Sequence, residues 1–174
     1  MANQATFTPE EWTTVRNAPH AVAMAVMMAG GSGLLGSVKE AFSVGKVLMD
    51  GMQSQDEIVR EISSEECARA FTDFVKASTA KLSGDEAKNW IRHEALSATR
   101  QAIPLVAAKA APGEFEAYKN WIAAIGKQVS EAASEGGFLG FGGEQVSEAE
   151  KTFLAELETV LQLEGGSNTA TAIA

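Results

Sequence analysis

Six times this chain places a hydroxyl residue three positions ahead of a glutamate: Thr8/Glu11, Ser37/Glu40, Ser54/Glu57, Ser63/Glu66, Ser83/Glu86 and Ser147/Glu150. This is the spacing of a helix capping box. The hydroxyl accepts the N–H three residues on, and the glutamate carboxylate reaches back to the N–H of the cap. A single such pair is commonplace. Six, each leading into an apolar run, describe a chain that starts helices again and again. At the first of them Pro9 occupies the initial helical position, where its missing N–H costs nothing.

The apolar runs have helical periods. Phe115, Tyr118, Ile122, Ile125, Val129 and Ala132 recur at intervals of three and four, as do Phe153, Leu154, Leu157, Val160 and Leu161. Cys67, Ala70, Phe71, Phe74 and Val75 form another stripe, and so do Val38, Ala41, Phe42, Leu48 and Met49. The pattern predicts helices at 9–29 (broken or kinked at Pro19), 38–50, 55–62, 64–81, 84–110 (interrupted at Pro104), 113–134 and 148–163. Strand-like alternation is nearly absent. The expected fold is all-α, a compact bundle of about six to eight helices with two glycine-rich helix–helix corners. Residues 1–163 are read as one domain and 164–174 as a flexible tail.

One stretch tests this reading. Between Arg16 and Lys39 lie 22 residues without Lys, Arg, Asp or Glu, long enough to span a bilayer. Pro19, His20, four glycines and two serines within it argue for a buried helix followed by a turn instead. The surface balance is acidic, with 23 Asp and Glu against 14 Lys and Arg for a net charge of −9. Such a surface repels nucleic acid and anionic membrane at long range, so no nucleic-acid partner is expected. Cys67 is the only cysteine, which excludes an intrachain disulfide and a cysteine metal cluster. With a start, MANQATFTPEEW, that has neither a basic n-region nor an apolar h-region, the expected setting is cytoplasmic.

The glycine-rich stretches carry large apolar side chains: Leu34 and Leu35 in AGGSGLLGSVKEAF, and Phe138, Leu139 and Phe141 in EGGFLGFGGEQVSEAE. Three explanations stand. The side chains fold back onto the helices they join, each contributing about 1.5–3 kcal/mol if buried, or they are held out as a contact for a partner or a membrane, or the glycines bind a ligand. In both halves a tryptophan, Trp12 or Trp121, is read as preceding a helix, then a glycine turn, a serine cap and an acidic start. The same turn chemistry used twice explains this echo without a duplication.

Chemical motifs are sparse. Gly31-Ser32-Gly33-Leu34-Leu35-Gly36 matches the dinucleotide fingerprint, with Asp56 twenty residues beyond. That fingerprint needs a preceding strand and βαβ units. No Gly-Lys-Ser/Thr, Gly-x-Ser-x-Gly or His-Glu-x-x-His occurs, and His20 and His93 are read as structural or surface residues. The carboxylates Asp56, Glu57 and Glu61, followed by Glu65 and Glu66, would form an acidic ridge if one helix ran through them. A cap at Ser63 breaks such a helix, leaving Asp56, Glu57 and Glu61 as the metal candidates. Met24, Met27 and Met28 are read as pliable core packing.

The arrangement AVAMAVMMAGGSGLLGSVKEAF, an alanine-rich helix, a glycine turn and an acidic helix start, resembles the helix pairs of tellurite-resistance TerB-like domains. The resemblance covers about thirty residues, with a second copy at 121–157. It implies a small helical bundle with acidic, metal-interacting sites. The aspartate–glycine pair of that family's turn is missing here, so no site residue is carried over. EGGFLGFGGEQVSEAE also resembles stretches of bacterial helical proteins of unassigned function. The expected function is non-catalytic, with no cofactor: an interaction or scaffold protein acting through self-association or a protein partner. Phe138, Leu139 and Phe141 are its contact candidates. An acidic metal-responsive stress protein and a peripheral membrane-binding protein are the alternatives.

Overall fold

The computed structural model describes residues 1–29, 45–134 and 148–163. A 3-10 turn, Gln4–Thr6, precedes α1 (Pro9–Ala29), and residues 45–51 are helical (α2). Then follow α3 (Glu57–Ile62), α4 (Glu65–Thr79), α5 (Gly84–Lys109), α6 (Pro112–Ser134) and α7 (Glu148–Leu163). Among the described residues there is no strand, and the seven α-helical segments match the expected all-α bundle. Both glycine-rich corners and the 164–174 tail lie outside the described residues. So does most of the stretch that resembles the TerB-like turn.

Two of the capping boxes form in full. Thr8 N–H donates to Glu11 Oε2 at 2.8 Å while Glu11 N–H donates to Thr8 Oγ1 at 3.3 Å. Ser83 and Glu86 repeat the exchange at 2.8 and 3.4 Å. Two others are corrected. The cap of α4 is Ser64, whose hydroxyl accepts from Cys67 N–H at 3.3 Å, whereas Ser63 is buried and bonds back to the Val59 carbonyl. The cap position of α3 is Asp56, and Ser54 serves only the Asp56 N–H through a local turn. Ser37/Glu40 and Ser147 lie outside the described residues.

The prolines and tryptophans also correct the reading. α5 runs through Pro104 uninterrupted, and α1 is continuous through Pro19, which removes the break there of the two alternatives, broken or kinked. Trp12 lies within α1 and Trp121 within α6, so neither precedes its helix. Helix continues to Ala29, which leaves no strand ahead of Gly31 and removes the dinucleotide-binding context.

The uncharged stretch is the centre of the molecule. Residues 17–23 are buried without interruption, and Val15, Ala18, Ala21, Val22 and Val26 have no exposed surface. A helix that is apolar all round must be covered on every side. α1 achieves this by packing most extensively on α5 and also against α4, α6 and α7. Among the described residues no helix is long and apolar enough to cross a membrane.

The opposing faces are the predicted stripes. Tyr118, Ile122 and Ile125 of α6, Phe153 and Leu157 of α7, and Ile91, Ile103 and Val106 of α5 join α1 in one core. Phe71 and Val75 line α4, with Phe74 half-buried beside them. Met49 departs from its expected stripe and points outward, while Val47 next to it is buried. Gly51 shows why α2 and α3 approach so closely. A β-carbon there would stand 2.2 Å from Ser63 Oγ and 3.1 Å from the Trp121 ring.

Candidate functional site

The expected site residues separate into two groups. Phe138, Leu139 and Phe141 lie outside the described residues. Asp56, Glu57 and Glu61 are described, and two of the three have structural work. Glu61 Oε2 accepts the Gln4 backbone N–H at 2.7 Å, and Glu57 Oε1 stands 3.4 Å from Asn3 Nδ2. α3 thus anchors the N-terminal segment rather than presenting a bare ridge. Glu65 and Glu66 begin a separate helix, α4. Among the described residues, no three His, Cys, Asp or Glu side chains gather closely enough to hold a metal ion.

The N-terminal segment is held from several helices at once. Ala2 N–H donates to Glu114 Oε1 of α6 at 2.8 Å, and the other oxygen of that buried carboxylate accepts Ala111 N–H at 3.0 Å. Asn3 caps the 3-10 turn, accepting from Ala5 N–H while its own N–H goes to Thr6 Oγ1. Phe7 stacks on Trp12 with centroids 6.1 Å apart. Lys109 of α5 pairs with Glu11 and lies 5.7 Å from the centre of the Phe7 ring. The Lys109 contact also holds the Glu11 carboxyl below the usual carboxylate range, aided by the Thr8 N–H.

Between this segment and α3 the surface opens into a cleft of about 470 Å³. Phe7, Pro9, Trp12 and Ala5 supply its apolar part, and Asn3, Gln4 and Glu61 its polar part. A volume of this size suits one or two side chains of a ligand. Little in the residue spacing announces it. Asn3-x-x-Thr6 is a capping signal, but nothing in the spacing reveals that the turn would dock on Glu57 and Glu61.

The two histidines have different surroundings. His20 is buried in α1, stacks on Phe71 with centroids 5.7 Å apart, and donates from Nε2 to the Ile62 carbonyl at 2.9 Å. That bond serves a carbonyl at the C-terminus of α3, where the helix has no N–H left to offer. Burial pushes the His20 pKa down, and nearby Arg16 adds to this, while the bond to Ile62 opposes it. From Phe71 the ring contacts continue as tilted pairs to Phe74 at 6.2 Å and on to Trp90 of α5 at 5.7 Å. His93 is exposed. Its neighbour Glu94 is raised by partial burial, with His93 pulling the other way.

A second surface feature is made of methionine. Met24 and Met27 pack against the core as expected, but Met28 does not: 42% of it is exposed. Met49 and Met52, three residues apart at the end of α2, are 67% and 45% exposed. Periodicity alone puts such residues inside, because it counts apolar side chains and cannot see which helix face lacks a neighbour.

No protein-family model, no curated protein and no solved structure matches this chain.

Proposed function

We propose that this chain is a non-catalytic helical interaction protein, acting by association with a protein partner or with a second copy of itself. The observation that carries the reading is the outward placement of Met28, Met49 and Met52. A helical bundle of this size hides most of its large apolar side chains, yet these three are left at the surface beside a core that had room for Met24 and Met27. Methionine is unbranched and polarisable, and it adapts to irregular partner surfaces without a fixed rotamer. Contiguous exposed apolar patches mark contact surfaces, and Met49 and Met52, three residues apart in sequence, would contribute to one.

The polar chemistry fits the same reading. Tyr118, His20, Ser63 and Thr99 each bond to a main-chain carbonyl inside the bundle. Glu57, Glu61 and Glu114 hold the N-terminal segment. These groups are engaged in holding the scaffold.

The test is photo-crosslinking in native cells with photoreactive methionine incorporated throughout the chain. Intermolecular adducts are expected at Met28, Met49 and Met52, and Met24, packed on the core, serves as the internal control. Mass mapping of the adducts identifies whether the partner is a second copy or another protein. Adducts confined to the chain itself, or formed equally at Met24, would overturn the reading.

A further inference from the structure

We propose that the cleft between the N-terminal turn and α3 seats an arginine side chain from a basic segment of a partner protein. The cleft shares no residue with the methionine surface, so this contact goes beyond the one argued above. Its shape and its charge both point to a long cationic side chain with an apolar stem.

The charge comes first. Glu57 and Glu61 stand one helical turn apart, and no ion pair among the described residues involves either of them. The basic groups nearest in sequence or space are engaged elsewhere. Arg60 gives its guanidinium to the Ser54 carbonyl at 2.9 Å, and Lys109 pairs with Glu11. Glu61 is also fixed in place, because its Oε2 holds the Gln4 N–H at 2.7 Å. Its other oxygen makes no hydrogen bond among the described residues and remains an acceptor at the edge of the cleft. A carboxylate held this way loses little further freedom on meeting a cation.

The apolar part selects the rest of the ligand. Phe7, Pro9 and Trp12 line the cleft beside that carboxylate. An arginine stem lies along such a surface while its head stays polar. Its planar, weakly hydrated guanidinium stacks on aromatic rings more readily than an ammonium does. At long range, a chain with net charge −9 draws basic partners toward it.

The experiment uses the full ¹⁵N-labelled chain and two capped tripeptides, acetyl-Leu-Arg-Leu-amide and its citrulline counterpart, which keeps the shape and removes the charge. Saturable shifts are expected at the Gln4 and Ala5 amides and the Trp12 indole with the arginine peptide. The citrulline peptide should bind at least about ten-fold more weakly, the factor a charged hydrogen bond supplies over a neutral one. Glu61→Gln keeps an acceptor for the Gln4 N–H, and it should reduce the arginine peptide to the citrulline level while leaving the shifts of Gln4 and Ala5 in the free protein close to wild type. Ala5→Trp, which fills the cleft from an exposed position, should abolish binding of both peptides. Absence of saturable shifts at these residues overturns the proposal, and so does equal binding of the two peptides. Methionine crosslinks that persist in Glu61→Gln show the two surfaces to be independent. Their loss together with peptide binding would contradict that independence.

Discussion

Two prolines sit deep inside helices of this molecule, and the surroundings treat them differently. Pro19 is buried in α1; Pro104 is exposed in α5. Each lacks the N–H that would serve the carbonyl four residues earlier, Val15 in one case and Arg100 in the other. Arg100 lies on the exposed side of α5, where water can serve a main-chain carbonyl. Val15 has no exposed surface, and there the missing donor is replaced by a side chain: Tyr118 of α6 gives its hydroxyl to the Val15 carbonyl at 2.7 Å. The lesson concerns where sequence detail matters. The same backbone defect is tolerated without a protein donor at the surface, and in the core it acquires a partner from another helix.

The sharpest way to break that comparison is Tyr118→Phe. It leaves the ring and removes the donor, so the buried Val15 carbonyl loses the Tyr118 hydroxyl and stability should fall by about 1–3 kcal/mol. Urea unfolding of a double-mutant cycle checks the cause. With Pro19→Ala, residue 19 regains an N–H for Val15, so the cost of Tyr118→Phe should drop by at least about 1 kcal/mol in that background. Equal costs in both backgrounds would show that the restored N–H does not stand in for the Tyr118 hydroxyl, and no cost in either would show that Tyr118 acts by packing alone. The hydroxyl stays protonated throughout any accessible pH range, because full burial pushes its pKa far up.

How much of this was legible in the sequence follows from the same physics. Helix starts at Thr8 and Ser83, and the stripes at Tyr118–Ile125 and Phe153–Leu161, rest on local spacing, which the sequence displays directly. The prolines misled because local rules end a helix at an unpaired carbonyl, whereas the partner that keeps α1 running lies 103 residues away. Ser63 and Ser64 differ for a related reason. Ser64 and Ser63 stand one and two residues ahead of α4, and burial against Gly51 and Trp121 decides which of them turns inward. The surface was harder still. That Glu57 and Glu61 hold Gln4 and Asn3, and that Met28, Met49 and Met52 face outward, depends on which helices become neighbours, which no spacing encodes.

A smaller effect sharpens the buried side of the comparison. His20 lies one position beyond Pro19 and also serves a main-chain carbonyl, but it can change charge. Its folded pKa lies below the unfolded value of about 6.5, so the unfolded chain binds the extra proton first as pH falls. The stability linked to His20 is therefore complete above about pH 6.5 and is lost as pH drops toward the folded pKa, with a slope of at most about 1.4 kcal/mol per pH unit. Glu94 works in the opposite sense, since its raised pKa makes the folded state the tighter proton binder. Unfolding free energies between pH 5 and 7 for the wild type and His20→Gln separate the two, because glutamine keeps a donor for the Ile62 carbonyl and does not titrate. A wild-type slope no steeper than that of the variant would show that His20 charges in the core without cost.

Pro104→Ala tests the exposed side, and its expected effect is the smallest. Alanine restores an N–H for the Arg100 carbonyl and carries the higher helix propensity, which in an exposed helix interior is worth up to about 3 kcal/mol over proline. A carbonyl on the exposed side of the helix is open to water, and α5 runs through the position unbroken, so the gain should be nearer about 0.5–1 kcal/mol. The sign is what matters. At Pro104 the substitution should stabilise and raise the melting temperature. At Pro19 the same change removes two buried methylenes, about 0.8 kcal/mol each, from the centre of the core, and the restored N–H meets a carbonyl that Tyr118 already serves. Pro19→Ala should therefore give no stabilisation. If calorimetry showed both substitutions raising the melting temperature equally, burial would not be what distinguishes the two prolines, and the Tyr118 bond would be incidental to the passage of α1 through Pro19.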